Sequence, residues 1–156
     1  MTKEEFSQQI LSLEKLLYHV SCGILSRECD REDAVQECIC KAWERCSSLR
    51  DPGAFRSWVT RILINECYNI LRRDRRLVYP EELPDIPAGE RDDLPLREAL
   101  EKLDSIFRLP IVLYYLEGFS VKEIAAMLEL PEGTVKSRLH TGRNRLRMEL
   151  DEEEEE

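Results

Sequence analysis

The sequence predicts an all-α protein of two small helical domains that are joined by an acidic linker, the second of them a helix-turn-helix domain. Apolar residues recur at the three- and four-residue spacing of helices through most of both halves. The 156 residues include only six glycines and seven prolines, which is few for the many tight turns of a β protein. Four of the prolines lie within residues 77–95, so the chain is expected to divide there into two units of about 70 residues.

The first domain, residues 1–76, is predicted to hold three long helices in one bundle. Residues 2–5 have the pattern of a capping box, which opens a helix that fades within residues 23–29. Asp30 is the predicted N-cap of the second helix, and residues 51–53 form a turn signal before the third. The residues predicted to face the core are Phe6, Ile10, Leu13, Leu16, Leu17, Val20, Ala34, Val35, Cys38, Ile39, Ala42, Trp43, Cys46, Phe55, Trp58, Val59, Ile62, Leu63, Cys67, Ile70 and Leu71.

The second domain, residues 96–150, is predicted to end in two helices joined by a brief turn. Two earlier helices are expected over about residues 96–103 and 105–117, the latter weakened by Pro110. Residues 120–123 form a second capping box, which opens a short helix before a turn at residues 129–133. The last helix carries one continuous apolar stripe, Val135, Leu139, Gly142, Leu146 and Leu150. This is the helix-turn-helix pattern.

Charge is distributed unevenly around a net value of −9. Residues 1–76 carry 13 basic and 12 acidic side chains, and residues 96–150 carry nine and eight, so both domains are nearly neutral. The linker, residues 77–95, has one base and six acids, and the tail, residues 151–156, has six acids. Each domain nevertheless ends in a basic cluster, which favours a shared polyanionic partner such as nucleic acid. The tail is expected to separate from the last helix, because the helix dipole disfavours anions there.

The outward face of the last helix has the composition of a DNA reader. The N-terminal half of the second helix of such a motif enters the major groove. Arginine can bridge guanine O6 and N7, while lysine, serine and threonine can reach phosphates or base edges. The predicted DNA-contacting set is Thr134, Lys136, Ser137, Arg138, Thr141 and Arg143. An ordinary basic surface helix is the alternative.

The six cysteines lie at positions 22, 29, 38, 40, 46 and 67, without a C-x-x-C pair. His19 and Cys22 have helical spacing, but no second ligand pair follows at a spacing typical of zinc sites. Buried thiols that pack as small apolar groups are therefore expected, with no metal or other cofactor. His19 and His140 have no nucleophile or acid pair arranged around them, so the protein is not expected to be an enzyme.

The longest apolar run, residues 109–116, is far shorter than the roughly 20 residues that span a bilayer, so no membrane insertion is expected. The first residues are acidic and are not followed by the apolar stretch of a signal peptide. A cytoplasmic location is therefore expected.

Residues 119–143 closely resemble the C-terminal domain of bacterial RNA polymerase sigma factors, above all those of the ECF (extracytoplasmic function) group of the sigma-70 family. The sequence PEGTVKSRL at residues 131–139 is quite specific to that group. In the first domain, residues 33–37 with Ala42 and Trp43 look like the polymerase-binding helix of these factors. Residues 55–58 and 61–73 look like their promoter-melting and −10-reading segment. Cysteines at four positions, Thr141 and the acidic tail depart from the common pattern.

The resemblance implies a two-domain sigma factor without catalysis or cofactor. Its implied partners are core RNA polymerase, through the clamp of the largest subunits, promoter DNA and an anti-sigma factor. The −35 element would be read by the residues of the last helix given above. The implied polymerase-binding residues are Asp33, Gln36, Glu37, Lys41 and Trp43, and the implied −10 residues are Phe55, Trp58, Arg61, Asn65, Tyr68, Asn69, Arg72 and Arg73.

The main alternative is a stand-alone helix-turn-helix transcriptional regulator. It would explain the last 50 or so residues, but it would leave the two motifs of the first domain as core residues without a role. The linker also has two interpretations, an acidic mimic of RNA in a basic polymerase channel or a solvated tether.

Overall fold

The computed structural model describes residues 1–74 and 94–155, and within those ranges all regular secondary structure is helical. The predicted all-α class is therefore confirmed. The chain divides into two compact units, and the boundary between them falls within residues 75–93. The predicted linker, residues 77–95, lies almost entirely outside the described residues. No helix in the described ranges is long and apolar enough to cross a membrane.

Residues 1–74 of the N-terminal unit form four α-helices, of which the last three pack as a bundle. These are α1 (Lys3–Ser12), α2 (Glu14–Ile24), α3 (Glu28–Arg45) and α4 (Phe55–Asp74). Two single 3-10 turns, Cys46–Ser48 and Pro52–Ala54, connect α3 to α4. Helix α4 packs against both α2 and α3. Its buried face, which includes Val59, Leu63 and Cys67, forms the centre of the core, as the apolar spacing predicts.

The predicted single first helix is wrong, because the structure breaks it at Leu13 into α1 and α2. Its capping box is present, with the Glu5 N–H donating to Thr2 Oγ1 at 3.1 Å and the Thr2 N–H to Glu5 Oε2 at 3.0 Å. At the break, the Ser12 hydroxyl donates to the Gln9 carbonyl at 2.6 Å, a local bond that competes with helix continuation. On α1, Phe6 packs edge-on against two aromatic rings of the bundle, those of Trp43 and Phe55.

The predicted N-cap at Asp30 is also wrong, since α3 begins two residues earlier and Asp30 lies in its first turn. Its carboxylate instead accepts a hydrogen bond from Arg27 Nε at 3.1 Å, and its charge suits the positive end of the helix dipole. The neighbouring Arg31 is buried, and its Nη1 donates to the carbonyls of Leu25 and Ser26 at 3.2 and 2.8 Å. Local charges therefore determine the start of α3.

Two of the six cysteines, Cys38 and Cys67, are fully buried between the helices of this unit, as a core role predicts. The Cys38 thiol donates to the Val59 carbonyl at 3.6 Å. Burial, and secondarily the nearby Glu66 carboxylate, raise the pKa of Cys38 from 9.0 to about 12. The pKa of Cys67 is also raised to about 12, by burial first and then by the neighbouring Cys38 and Glu66. Among the described residues, no group of three or more His, Cys, Asp or Glu side chains could hold a metal ion.

We expect the two buried thiols to make the N-terminal unit sensitive to alkali. Because their pKa values are raised in the folded state, their contribution to stability is fully present below about pH 9 and is lost as pH rises towards 12. Urea unfolding monitored by circular dichroism between pH 7 and 11 measures this loss. A Cys38→Ala/Cys67→Ala variant should show a smaller decline above pH 9. A Cys29→Ala/Cys40→Ala variant, which removes two exposed thiols, serves as the control.

The described part of the C-terminal unit, residues 94–155, also contains four α-helices. They are α5 (Leu94–Lys102), α6 (Ser105–Ile111), α7 (Val121–Leu128) and α8 (Glu132–Glu155), and α8 packs against the other three. Helices α6 and α8 approach closely at Gly142, where an added Cβ would lie 3.0 Å from Ile111 Cδ1 and 3.4 Å from Phe107 Cβ. The lack of a side chain at Gly142, which lies in the predicted apolar stripe, therefore allows α6 and α8 to pack closely.

The predicted helix over residues 105–117 changes halfway from α-helical to π-helical geometry, since Val112–Leu116 forms a π-helix. Pro110 lacks an N–H, which removes one bond of the α-helical ladder just before the change. The Glu117 N–H then bonds to the Val112 carbonyl at 3.1 Å, and the left-handed Gly118 (φ 74°) ends the segment as predicted.

The expected separation of the acidic tail from the last helix is wrong, since α8 continues to Glu155. Glutamate has a high helix propensity, and a helix that is already packed along α5 and α6 can extend by adding one hydrogen bond per residue. Propagation of the helix outweighs the unfavourable dipole at this end.

Candidate nucleic-acid interface

The helix-turn-helix of the C-terminal unit is formed by α7 and α8. The Glu123 N–H donates to Ser120 Oγ and the Ser120 N–H to Glu123 Oε1, both at 3.1 Å, which confirms the predicted capping box. Glu129 adopts a left-handed conformation (φ 55°) and ends α7. Ile124, Met127, Val135 and Leu139 are buried and hold the two helices in a common core.

The six predicted −35 residues lie on two rows that flank the buried stripe of α8. At 100° per residue, Thr134, Ser137, Arg138 and Thr141 lie on one side of the stripe, and Lys136 and Arg143 lie on the other. Lys136, Ser137 and Arg143 are exposed, and the other three are half-buried. The first row, the reading row, contains the groups suited to base edges, and the second, the basic row, contains those suited to phosphates.

The basic row of α8 contains one residue, His140, that the predicted DNA-contacting set omits. His140 lies between Lys136 and Arg143 on the helix surface, and its Nε2 is 3.3 Å from Asn144 Nδ2. Arg143 Nη1 donates to the hydroxyl of Tyr115, which lies in the π-helix, at 3.0 Å. The helical spacing of His140 could have been recognised in the sequence. The bond from Arg143 could not, because it joins residues 28 positions apart.

In the N-terminal unit, α4 presents a polar stripe along its exposed side. Arg61, Asn65, Asn69 and Arg72 follow one another at intervals of four, four and three residues and are exposed. The Arg72 guanidinium donates to the Asn69 amide oxygen. The stripe runs for roughly 16 Å along the helix. Of the other predicted −10 residues, Arg73 is exposed, and Trp58 and Tyr68 are half-buried.

Phe55, which the resemblance assigns to the −10 surface, is buried in the structure. Only 3% of its area is exposed, and its ring packs at 6.0 Å from that of Phe6 and 5.9 Å from that of Trp58. Phe55 is the first residue of α4, and its side chain points inwards and packs against Phe6 of α1. Phe55 therefore supports the unit rather than contacting DNA.

The predicted polymerase-binding residues of α3 are exposed with one exception. Asp33, Gln36 and Glu37 face solvent, and Trp43 keeps 43% of its area exposed while its ring packs edge-on against Phe6 at 5.1 Å. Lys41 is the exception. Its ammonium forms a 2.5 Å ion pair with Glu66 on α4, whose side chain is only 10% exposed, so its charge is directed into the unit.

Two family models match the chain, one for each unit. The model described as Sigma-70 region 2 matches residues 10–77, and the model described as Sigma-70, region 4 matches residues 93–146. The first match includes all of α2, α3 and α4, and the second includes the helix-turn-helix as far as residue 146 of α8.

Relatives with similar sequences carry the same description. The chain is 32% identical over 144 residues to the ECF RNA polymerase sigma factor SigE of Mycolicibacterium smegmatis, in an alignment that covers 84% of this chain and 56% of the relative. It is 34% identical over 144 residues to the ECF RNA polymerase sigma-E factor of Haemophilus influenzae, covering 78% of this chain and 76% of the relative.

A solved structure has a similar fold. It is the sigma factor RpoE of Bartonella quintana in complex with the anti-sigma factor NepR. The TM-score is 0.81 at 30% identity, and the match covers 95% of this chain and 98% of that one.

Proposed function

The chain belongs to the ECF group of the sigma-70 family of RNA polymerase sigma factors, and we propose how its two units divide the work of promoter-specific transcription initiation. The protein is a sigma factor and not an enzyme, since core polymerase performs the synthesis. Residues 1–76 bind core polymerase and recognise and melt the −10 element. Residues 96–150 read the −35 element, residues 77–95 link the two, and residues 151–156 form an acidic extension.

The observation that carries the −35 assignment is the division of α8 into a buried stripe, a partly exposed reading row and an exposed basic row. The reading row offers Arg138 and short hydroxyl side chains for base edges, and the basic row offers Lys136 and Arg143 for phosphates. A net charge of −9 is compatible with this role, because core polymerase supplies most of the cationic surface and the sigma factor needs only local basic patches.

The −10 function is assigned to the polar stripe of α4. Melting requires a surface that holds an unpaired strand through backbone charge and base stacking. Arg61, Arg72 and Arg73 provide the charge, the asparagines Asn65 and Asn69 provide amide groups for base edges, and the half-buried Tyr68 and Trp58 provide rings. In the sequence, the stripe ends a few residues before the predicted linker.

Polymerase binding is assigned to the exposed side of α3. Asp33, Gln36 and Glu37 form its polar part, and Trp43 provides the large aromatic side chain that anchors many interfaces. Lys41 is left out of this surface because of its ion pair with Glu66. An anti-sigma factor is a further proposed partner, since the similar structure of RpoE contains one. Acting on polymerase and promoter places the protein in the cytoplasm.

Run-off transcription with core polymerase on genomic fragments, including the region upstream of the gene, tests the proposed function. Specific transcripts should appear only when both core polymerase and this protein are present. The alternative, a stand-alone helix-turn-helix regulator, needs no polymerase to bind its operator. Promoter-selective DNA binding without polymerase, combined with no stimulation of transcription, would support that alternative instead.

The polymerase-binding surface has its own test. Replacing Gln36 and Glu37 with alanine should weaken co-purification with core polymerase, because both polar side chains are exposed and make no contact that the core needs. Circular dichroism should show unchanged helicity. A Glu14→Ala/Lys15→Ala variant alters two exposed residues of α2 and serves as the control. Equal retention of both variants would remove Gln36 and Glu37 from the interface.

A further inference from the structure

The hydrogen bond between Tyr115 and Arg143 joins two exposed side chains on the surface of the C-terminal unit. Arg143 Nη1 donates to Tyr115 Oη at 3.0 Å, and the partners come from α8 and the π-helix. An exposed bond of this kind adds little to stability, because water can replace either partner. Its effect on the direction of the arginine side chain is larger, since a free arginine populates many rotamers.

The π-helix gives Tyr115 a defined position. Its wider turn, with the Glu117 N–H bonded to the Val112 carbonyl, places two consecutive tyrosines on the surface. The rings of Tyr114 and Tyr115 pack edge-on, with centroids 4.9 Å apart and planes at 80°. This contact limits the rotation of Tyr115 and so holds its hydroxyl beside Arg143. π-helical turns inside helices are frequent at functional sites.

The paired groups have the chemistry of a phosphodiester site. Arginine carries five N–H donors, and the bond to Tyr115 occupies one of them. A tyrosine hydroxyl that accepts a hydrogen bond still has its own O–H to donate. The pair therefore offers a positive charge and two kinds of hydrogen-bond donor to one acceptor group. Charge-assisted hydrogen bonds from arginine to phosphate are stronger than hydrogen bonds between neutral groups.

The location matches this chemistry. Arg143 belongs to the basic row of α8, seven residues and about 10 Å after Lys136. A phosphate held there would lie towards the rear of the recognition helix, away from the N-terminal end that enters the groove.

We propose that Tyr115 is a positioning residue of the −35 interface, which holds Arg143 against a phosphodiester group of the DNA backbone and donates its own O–H to the same group. The proposal rests on the proposed role of α8 as the DNA-reading helix. It assigns the π-helix a function in DNA binding, although this segment lies outside the helix-turn-helix. Fixing the Arg143 side chain before binding reduces the loss of conformational entropy that binding would otherwise cause.

The test is a double-mutant cycle on the full chain, with affinity for a non-specific DNA duplex measured by fluorescence anisotropy at low ionic strength. Tyr115→Phe keeps the ring and removes the hydroxyl, and it should weaken binding roughly 2- to 10-fold. Tyr114→Phe is the matched control, because the structure records no hydrogen bond from that exposed hydroxyl in the described residues, and it should leave binding unchanged. In an Arg143→Ala background, Tyr115→Phe should have a clearly smaller effect.

The outcomes separate this proposal from the proposed function. Equal affinities of the Tyr115→Phe and Tyr114→Phe variants, with Arg143→Ala still weakened, would overturn the role of Tyr115 alone. The same fold-loss from Tyr115→Phe in both backgrounds would show that the hydroxyl does not act through Arg143 and would also overturn it. If Lys136→Ala and Arg143→Ala both bound this duplex normally, the assignment of α8 as the DNA-binding helix would fail.

Discussion

Replacing Lys41 with methionine is expected to destabilise the N-terminal unit by about 1–3 kcal/mol. The ammonium of Lys41 lies 2.5 Å from Glu66 Oε1, and the Glu66 side chain is 10% exposed. Methionine keeps the aliphatic packing of the lysine stem but leaves this carboxylate near the buried thiols of Cys38 and Cys67 without its partner. A buried charge without compensation is far more costly than the loss of one surface ion pair. Urea unfolding at pH 7, followed by circular dichroism, measures the change.

Two further variants make the result specific to the ion pair. Lys15→Met removes an exposed lysine of α2 and should change the unfolding free energy by less than about 0.5 kcal/mol. The double variant Lys41→Met/Glu66→Leu removes both charges and should regain much of the stability that the single variant loses. Equal unfolding free energies for Lys41→Met and Lys15→Met would contradict the buried role of this pair.

Replacing Arg138 with alanine is expected to reduce promoter affinity by about 1–3 kcal/mol and to relax sequence preference in the −35 region. Arg138 lies on the reading row of α8, one turn after Thr134, and is half-buried against the unit, so its side chain starts from a restrained position. Competition between holoenzyme complexes with matched and altered −35 sequences, measured by run-off transcription, gives both quantities.

The basic row provides the comparison for Arg138. Lys136→Ala should weaken binding to all sequences alike and lower the dependence of affinity on salt, because a phosphate contact carries no sequence information. Arg147→Ala, at an exposed position more than three turns after Thr134, should have a small effect on sequence preference. If Arg138→Ala kept the wild-type preference among −35 sequences, the reading row would be misassigned.

The comparison of prediction and structure is clearest at the helix ends. Both predicted capping boxes are present, because each depends on two side chains three residues apart and on their own backbone. The buried stripe of α8 was likewise predictable at Val135, Leu139 and Gly142, since its period is that of the helix. The break at Leu13 and the start of α3 at Glu28 were missed, because the hydrogen bond of Ser12 and the charge pair of Arg27 compete with the simple apolar pattern.

Most of the candidate site residues have the exposure that their predicted roles require. Asp33, Gln36 and Glu37 are exposed on α3, and the polar stripe of α4 is exposed along most of its length. Their contacts with polymerase and DNA remain predictions. Phe55 and Lys41 are directed towards the core more than their predicted roles suggest, and for one reason. An aromatic ring or a lysine at a helical position can face inwards or outwards, and the neighbouring helices determine which.

Local sequence therefore determined the helical class of the fold, the capping of α1 and α7 and the inner face of the recognition helix, because each depends on residues within two helical turns of one another. The division into two units followed from the prolines and acids of residues 77–95. Packing decided the surroundings of Phe55, Lys41 and Tyr115. The ion pair of Lys41 with Glu66 spans 25 positions and the bond of Arg143 to Tyr115 spans 28. Partners so far apart in the chain meet only after separate helices have packed, and the period of a single helix carries no information about them.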